Sequence, residues 1–294
     1  MSSRFDRSWE KGQPKSEART TSPDFVEALA RGLEVIQAFD DSMPEMTLTE
    51  MAARTGLPPA TARRCLLTLK ELGYVGSNGR RFLLRSKVLS LGAAYLNSMN
   101  LKEVAEAHLQ DVAEAFHDAS SMAVLEENDA VYVAHIPSRR EARFRVRIGS
   151  RRPAYATSLG QVLLAYLDEG AREAFLTNAP FQRYTIRTTV EADELRAIFQ
   201  EIRAKGYSAV EDQLEYGSLA IAVPVKDVSG RVFAAINCSA ESARVDLKTL
   251  IATRLPLLLA AGREIGKAMA RYPALVHSVL ADQTGDDSRP REDL

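Results

Sequence analysis

Cysteine is nearly absent: the 294 residues hold two, Cys65 and Cys238, far apart and without a partner motif. That argues against a disulfide framework and a cysteine-based zinc site, and it fits a reducing cytoplasm. The four histidines, His108, His117, His135 and His277, are scattered with no His-x-x-x-His spacing, so no metal is expected. The G-x-S-x-G nucleophile elbow, the G-x-x-x-x-G-K-[ST] phosphate loop and the G-x-G-x-x-G dinucleotide fingerprint are all missing. No enzyme and no cofactor are therefore expected. Asp212 and Glu215 are the nearest approach to an acid/base pair, and paired carboxylates on a polar segment are usually just solvated. No apolar run approaches the roughly 20 residues that cross a bilayer. The start, MSSRFDRSWEKGQPKSEART, lacks the apolar stretch of a secretory signal, so a membrane is not among the expected partners.

What remains is an ordinary globular composition, 46% hydrophobic and 26% charged, with length enough for two domains. The net charge of −1 hides an uneven distribution. Between Arg54 and Lys87 stand eight basic residues (Arg54, Arg63, Arg64, Lys70, Arg80, Arg81, Arg85, Lys87) against one acid, Glu71. A stretch of +7 on a chain that is −8 elsewhere has the electrostatic footprint of a nucleic-acid contact.

Residues 1–22 and 282–294 lack apolar periodicity and read as disordered tails. Residues 23–85 read as a DNA-binding domain. FVEALARGLEVIQAF puts Phe25, Leu29, Leu33 and Ile36 on one helical face. Thr47 with Glu50 three residues on makes a capping box, Gly56 ends that helix, and Pro58-Pro59 opens the next. After Gly73, YVGSNGRRFLL turns at Asn78-Gly79, a strong hairpin signal. Helix, helix, turn, helix and hairpin within this span is the winged helix-turn-helix order. Residues 86–100 (SKVLSLGAAYLNSM) read as a linker helix whose apolar face packs on another copy. Residues 101–281 read as an effector-binding domain. Strands are expected near 121–126, 130–136, 143–148, in LAIAVPVKD and in VFAAINCSA, and helices near 158–167, through EADELRAIFQEIRAKG and from Leu247 to Arg271.

Three stretches carry candidate sites. In GLPPATARRCLL, burying Ala62, Leu66, Leu69 and Leu72 turns Thr61, Arg63 and Arg64 outward. Arginine's planar fork suits guanine edges or phosphate, Pro59, Ala60 and Thr61 can approach bases, and Arg80 and Arg81 on the hairpin can sit over the adjacent backbone. In RRPAYATSLGQVLLAYL a helix begins at Thr157 or Ser158, so the amides of Leu159, Gly160 and Gln161 form an anion-binding end, with Arg147, Arg151 and Arg152 crowding the approach. An ordinary N-cap explains the same stretch equally well. In FAAINCSA, alternation puts Phe233, Ala235, Asn237 and Ser239 on one face, a pocket wall for a small polar ligand, and Cys238 on the other as a core residue.

In the order and spacing of these blocks the chain resembles an IclR-type transcriptional regulator from about residue 23 to 275, closest to the PcaR/PcaU/PobR branch that controls catabolism of aromatic acids. The blocks are ARGLEVIQAF, LTEMAARTGLPPATARRCLLTLKELGYV, RFLLRSKVLSLG, RPAYATSLGQVLLA, GYSAVEDQLEYGSLAIAVPV and GRVFAAINCSA. The resemblance implies an α+β chain: an N-terminal winged helix-turn-helix domain, a linker helix and a C-terminal α/β, GAF-like effector-binding domain. It implies a homodimer or homotetramer on double-stranded operator DNA, controlled by a small, aromatic or related, organic acid. It places that effector among Ser158, Leu159, Gly160, Asn237 and Ser239, with Phe144 as a hydrophobic cover. Val210 and Ala220 replace the aspartate and cysteine of members that bind very small oxo-acids, which fits a larger, more apolar ligand. Gln213 stands where the aromatic-acid branch tends to have glutamate. The reading from another class is an enzyme or small-molecule-binding protein that uses the helix-turn-helix only to dimerise.

Overall fold

The computed structural model describes residues 24–99, 101–138 and 146–269. The expectations for residues 1–22 and 282–294, for Phe144 and for a strand at 143–145 lie outside these. The chain forms two compact units that divide after Gly92, inside the segment expected to link them.

The first unit contains helix α1 (Glu27–Gln37), strand β1 (Glu45–Thr47), helices α2 (Leu48–Thr55) and α3 (Pro59–Glu71), and the hairpin β2 (Val75–Asn78) and β3 (Arg81–Leu84). A 3-10 turn (Ser86–Val88) and the start of α4 (Leu89–Met99) follow. The caps form as the residue types require. The Thr47 hydroxyl accepts the Glu50 N–H at 3.3 Å, while the Thr47 N–H donates back to Glu50 Oε2 at 2.7 Å. Gly56 takes the left-handed turn at φ 69°, and Pro59 opens α3, where its missing N–H costs nothing. The three strands pair antiparallel in the order β1-β3-β2. The three-residue β1 is too short to leave a periodic signature and was not anticipated.

Ala62, Leu66 and Leu69 of α3 are buried with Val35, Met46, Met51 and Val75. Two expectations fail. Leu72 caps the end of α3 and is 51% exposed, because the chain turns away there at Gly73. Helix α1 also presents a different face. It buries Val35 toward α3, and Ile36 packs half-buried on the same core as expected, while Leu29 and Leu33, with Phe25 just ahead of the helix, are 63%, 46% and 49% exposed. A narrow three-helix core accepts one edge of α1, and the wider apolar stripe is left without cover from this unit.

In the second unit, α5 (Leu101–Phe116) leads into β4 (Ala119–Glu126) and β5 (Asp129–Ile136). Then come β6 (Arg151–Pro153), a 3-10 turn (Ala154–Ala156), α6 (Ser158–Ala165), α7 (Glu169–Asn178), α8 (Ala192–Lys205), β7 (Ser208–Glu211), β8 (Ser218–Lys226), β9 (Val232–Glu241) and α9 (Leu247–Met269). The sheet is antiparallel throughout, in the order β6-β5-β4-β9-β8-β7. Residues of α5 and α9 pack on one face and those of α6, α7 and α8 on the other, so β4, β8 and β9 are buried on both sides. That double burial is why these strands read as nearly unbroken apolar runs.

Three sequence expectations shift. Residues 146–148 are not a strand, and the pairing to β5 is made instead by Arg151–Pro153. Strand β7, four residues long and beginning two residues after the Gly206 turn, was not anticipated. In β9, Phe233 does not share a face with Ala235, Asn237 and Ser239. A register shift lets Val225 pair with Ala234 and Lys226 with Val232, so Phe233 is the extra residue of a bulge and joins the α5/α9 core.

Close backbone packing places the helices. A Cβ on Gly160 of α6 would lie 2.2 Å from Ala154 Cα, and one on Gly266 of α9 would lie 2.3 Å from the Lys226 carbonyl oxygen. Neither backbone can yield without moving an element. Gly160→Ala is therefore expected to destabilise the second unit by about 1–3 kcal/mol, the usual range for overpacking, read as a lower urea midpoint at unchanged slope.

Candidate DNA-facing helix and ligand cavity

The helix-turn-helix geometry exposes Pro59, Ala60, Arg63 and Arg64 on α3 and leaves Thr61 half-buried. The basic stretch divides into two groups. Arg54 pairs with Asp40, Lys70 Nζ donates to Ser77 Oγ at 2.7 Å, and Lys87 Nζ donates to the Leu72 carbonyl at 2.8 Å while lying over the Tyr74 ring. Arg81 is likewise occupied: its Nη1 donates to the Glu45 carbonyl at 3.2 Å and lies 3.3 Å from Glu50 Oε2. The Glu50 carboxyl is held below its usual range, first by the Thr47 N–H and hydroxyl and then by Arg81. Arg81 thus braces the wing against the capping box instead of projecting from it. Among the described residues, Arg63, Arg64, Arg80 and Arg85 have no acid partner and are exposed.

The second unit holds a cavity of about 100 Å³, several times the roughly 10–15 Å³ that one water needs. It opens between the start of α6, the 212–218 segment and the ends of β4, β5 and β9. Ser158, Asn237 and Ser239 meet there, as do Val210, Ala220 and Gln213. Two of the expected effector residues do not. Leu159 is fully buried in the α6/α8 core, and Gly160 packs on Ala154. The Gly160 N–H is also occupied, since it donates to Thr157 Oγ1 at 3.1 Å, and the Gln161 N–H donates to the Thr157 carbonyl at 2.9 Å. Thr157 therefore takes two of the three amides expected to hold an anion, those of Gly160 and Gln161. What α6 offers instead is the Ser158 hydroxyl. The residue is 1% exposed, lines the cavity, and its Oγ is the one buried side-chain polar atom without a hydrogen-bond partner among the described residues.

Asn237 is largely committed. Its Oδ1 accepts the Ser121 N–H at 3.0 Å and its Nδ2 donates to Ser239 Oγ at 2.9 Å. It therefore holds β4 to β9 and aims Ser239, leaving one amide proton for any ligand. Of the arginines expected at the approach, only Arg152 lines the cavity. Arg151 is tied at the sheet edge to Glu126 and Asp129, at 2.9 and 3.0 Å. The Gln213 side-chain carbonyl accepts the Thr189 N–H at 2.9 Å.

The expectation that Glu215 is solvated is also corrected. Glu215 lines the cavity, and burial pushes its carboxyl above the usual range while Arg152 opposes the shift. Nothing in a polar segment signals this burial, because it arises only when the 212–218 segment lines the cavity in the folded chain. Sequence reasoning also missed Ser121 and His135, which alternation places on the same face, and Arg244, which lines the cavity while pairing with Asp118. The Asp118 side chain is 0% exposed between Arg244 at 2.9 Å and Arg254 at 3.0 Å. Beside it the Cys238 thiol is pushed up to about 12 by burial and by that carboxylate, so it stays protonated and unreactive.

A winged helix with unpaired arginines on its second motif helix, on a chain that also carries a polar, roofed cavity, defines a ligand-responsive DNA-binding protein. Comparison with known proteins agrees. The IclR helix-turn-helix domain matches residues 28–79 and the bacterial transcriptional regulator IclR C-terminal domain matches residues 93–267. The chain belongs to the IclR family of bacterial transcriptional regulators. It is 42% identical over 250 residues to the Pca regulon regulatory protein of Pseudomonas putida, covering 85% of this chain and 86% of that protein. It is 33% identical to the p-hydroxybenzoate hydroxylase transcriptional activator of Acinetobacter baylyi, over 86% of this chain and 95% of that one. A solved transcriptional regulator from Rhodococcus sp. RHA1, 42% identical, superimposes with a TM-score of 0.75 over 84% of this chain and 99% of its own. That these relatives are regulators disfavours the enzyme reading.

The division of the basic residues makes a testable contrast. Arg64→Ala is expected to weaken binding to upstream intergenic DNA by about 1–3 kcal/mol with no change in melting temperature. Arg81→Ala should lower the melting temperature and affect DNA less. Fluorescence anisotropy and thermal melts on both variants check it, and equal loss of DNA affinity in both would remove the distinction.

Proposed function

We propose that the chain is a cytoplasmic regulator of aromatic-acid catabolism that binds double-stranded operator DNA through α3 and takes a small aromatic acid in the cavity of its second unit. The Ser158 hydroxyl carries the ligand half of this reading. A buried hydroxyl without a partner costs stability, and a carboxylate in the cavity would repay it. Arg152 on the same wall supports an anion, and Val210 and Ala220 keep part of the wall apolar for a ring. The two relatives named for the Pca regulon and for p-hydroxybenzoate hydroxylase support the aromatic class. The ligand alters DNA binding only by preferring one arrangement of the protein over another, since equal affinity for both shifts nothing.

The working form we propose is a homodimer or homotetramer. Leu29 and Leu33 on α1, Phe25 just ahead of it, and Leu89 and Leu91 on α4 are too much exposed apolar surface for a DNA-binding unit to leave wet. A second copy across a two-fold axis would cover it, and the operator would then be pseudo-palindromic. Sedimentation equilibrium at micromolar concentration should give a dimer or tetramer, and Leu29→Glu should shift it toward monomer. A wild-type monomer refutes this.

The ligand reading has two linked readouts. Ser158→Ala should raise the melting temperature of the ligand-free protein, because it deletes an unsatisfied buried group. The same change should weaken a benzoate-class acid by about 1 kcal/mol in calorimetric titration. A pH series tests the charge balance. Below its raised pKa Glu215 is neutral and does not repel an anion; above it the carboxylate is charged and does. Affinity should therefore fall as pH rises above the ordinary carboxylate range, where a benzoate is ionised, and Glu215→Gln should flatten that slope. A wild-type affinity flat with pH there would remove Glu215 from the ligand's surroundings.

A further inference from the structure

A second polar pair, Ser121 and His135, faces the same cavity. Ser121 on β4 is 3% exposed, and its hydroxyl lies 2.9 Å from His135 Nδ1 on β5. Both residues line the cavity. Ser121 is fixed from the opposite side as well, because its N–H donates to Asn237 Oδ1 on β9 at 3.0 Å. Three adjacent strands thus hold one hydroxyl in one place. Its neighbours Met122 and Ala123 belong to the two apolar cores, whereas Ser121 and His135 belong to neither. A polar cross-strand pair on a cavity wall, anchored this firmly, is a built feature.

Hydrogen-bond capacity says what it can read. A serine hydroxyl has one donor and two acceptor sites, and among the described residues that of Ser121 has one partner. If His135 Nδ1 is the acceptor, Ser121 gives its proton to the imidazole and turns lone pairs to the cavity. If Nδ1–H is the donor, Ser121 keeps its own O–H for the cavity. A ligand hydroxyl, donor and acceptor at once, satisfies either arrangement. A carboxylate or ether only accepts and so satisfies only the second, and an unsubstituted ring satisfies neither.

We propose that Ser121, with His135 as its positioning residue, determines specificity by reading a hydroxyl group on the effector's ring. This rests on the aromatic-acid reading above and narrows it to hydroxylated acids, with Ser158 taking the carboxylate and Ser121 the ring hydroxyl. Discrimination comes from the remaining hydrogen-bond site on Ser121 Oγ, which a ring hydroxyl fills and a bare ring leaves unused.

The test is calorimetric titration of the full chain with benzoate, 3-hydroxybenzoate and 4-hydroxybenzoate. Wild type should bind at least one hydroxybenzoate about tenfold or more tighter than benzoate. Ser121→Ala should bring that ratio to within about twofold of unity in a protein that still binds benzoate. His135→Gln should reduce the ratio in the same direction, and Ser121→Thr, which keeps the hydroxyl, should restore it. Benzoate binding reports folding in each variant, and a merely structural role would weaken all three acids together. A ratio near one in wild type, or a ratio unmoved in a His135→Gln or Ser121→Ala protein that still binds benzoate, overturns this inference alone. Failure of wild type to bind any of the three overturns the aromatic-acid reading and this inference with it.

Discussion

The ligand unit depends on the seam between β4 and β9, the central pair of its six-stranded sheet, and that seam is closed by Asn237. Its side-chain carbonyl accepts the Ser121 N–H, its backbone carbonyl accepts the Ser120 hydroxyl at 2.8 Å, and its amide donates to Ser239. An apolar residue there would bury an unpaired N–H at the centre of the sheet. Because the seam is tied by side chains as well as backbone, the cavity wall beside it is held in place: one amide bonds both Ser121 and Ser239, and Ser121 in turn meets His135. The polar row is a structural joint first and a recognition surface second.

Charge is used in the same economical way. Asp118 is fully buried, yet two guanidiniums share it, and Arg254 also lies over the Phe116 ring at 4.5 Å. Losing either arginine would leave a buried carboxylate less compensated, the costly state for an ion pair. In the first unit the division is sharper. Arg54 and Arg81 brace the turn, the capping box and the wing, while Arg63, Arg64, Arg80 and Arg85 keep their charge available. A basic stretch is thus part scaffold and part binding surface, and its net charge alone does not separate the two.

Much of the first unit was legible because its signals are local. A capping box needs only Thr47 and Glu50, a left-handed turn only Gly56, and a hairpin only Asn78-Gly79, so residue type and spacing suffice. The outward aim of Arg63 and Arg64 follows from helical periodicity once Ala62, Leu66 and Leu69 are buried. The face chosen by α1 was not legible: two apolar edges compete on that helix, and the size of the neighbouring core selects Val35.

In the second unit, alternation along β9 correctly brings Asn237 and Ser239 to a pocket wall but misplaces Phe233, since a one-residue bulge reverses the alternation and leaves no mark on the sequence. The start of α6 was recognised as a helix end, yet whether its amides are open depends on the Thr157 side chain, which accepts one of them. Glu215 was read as solvated because burial of a turn depends on where the chain returns. The sequence by itself determined the family, the order of elements, the caps and the exposed arginines, all consequences of short-range spacing and of blocks in a given order. Tertiary structure alone decided which hydroxyl is left unpaired, which arginines are spent on acids and which carboxylate enters the cavity, because those depend on partners that are far apart along the chain and adjacent only after folding.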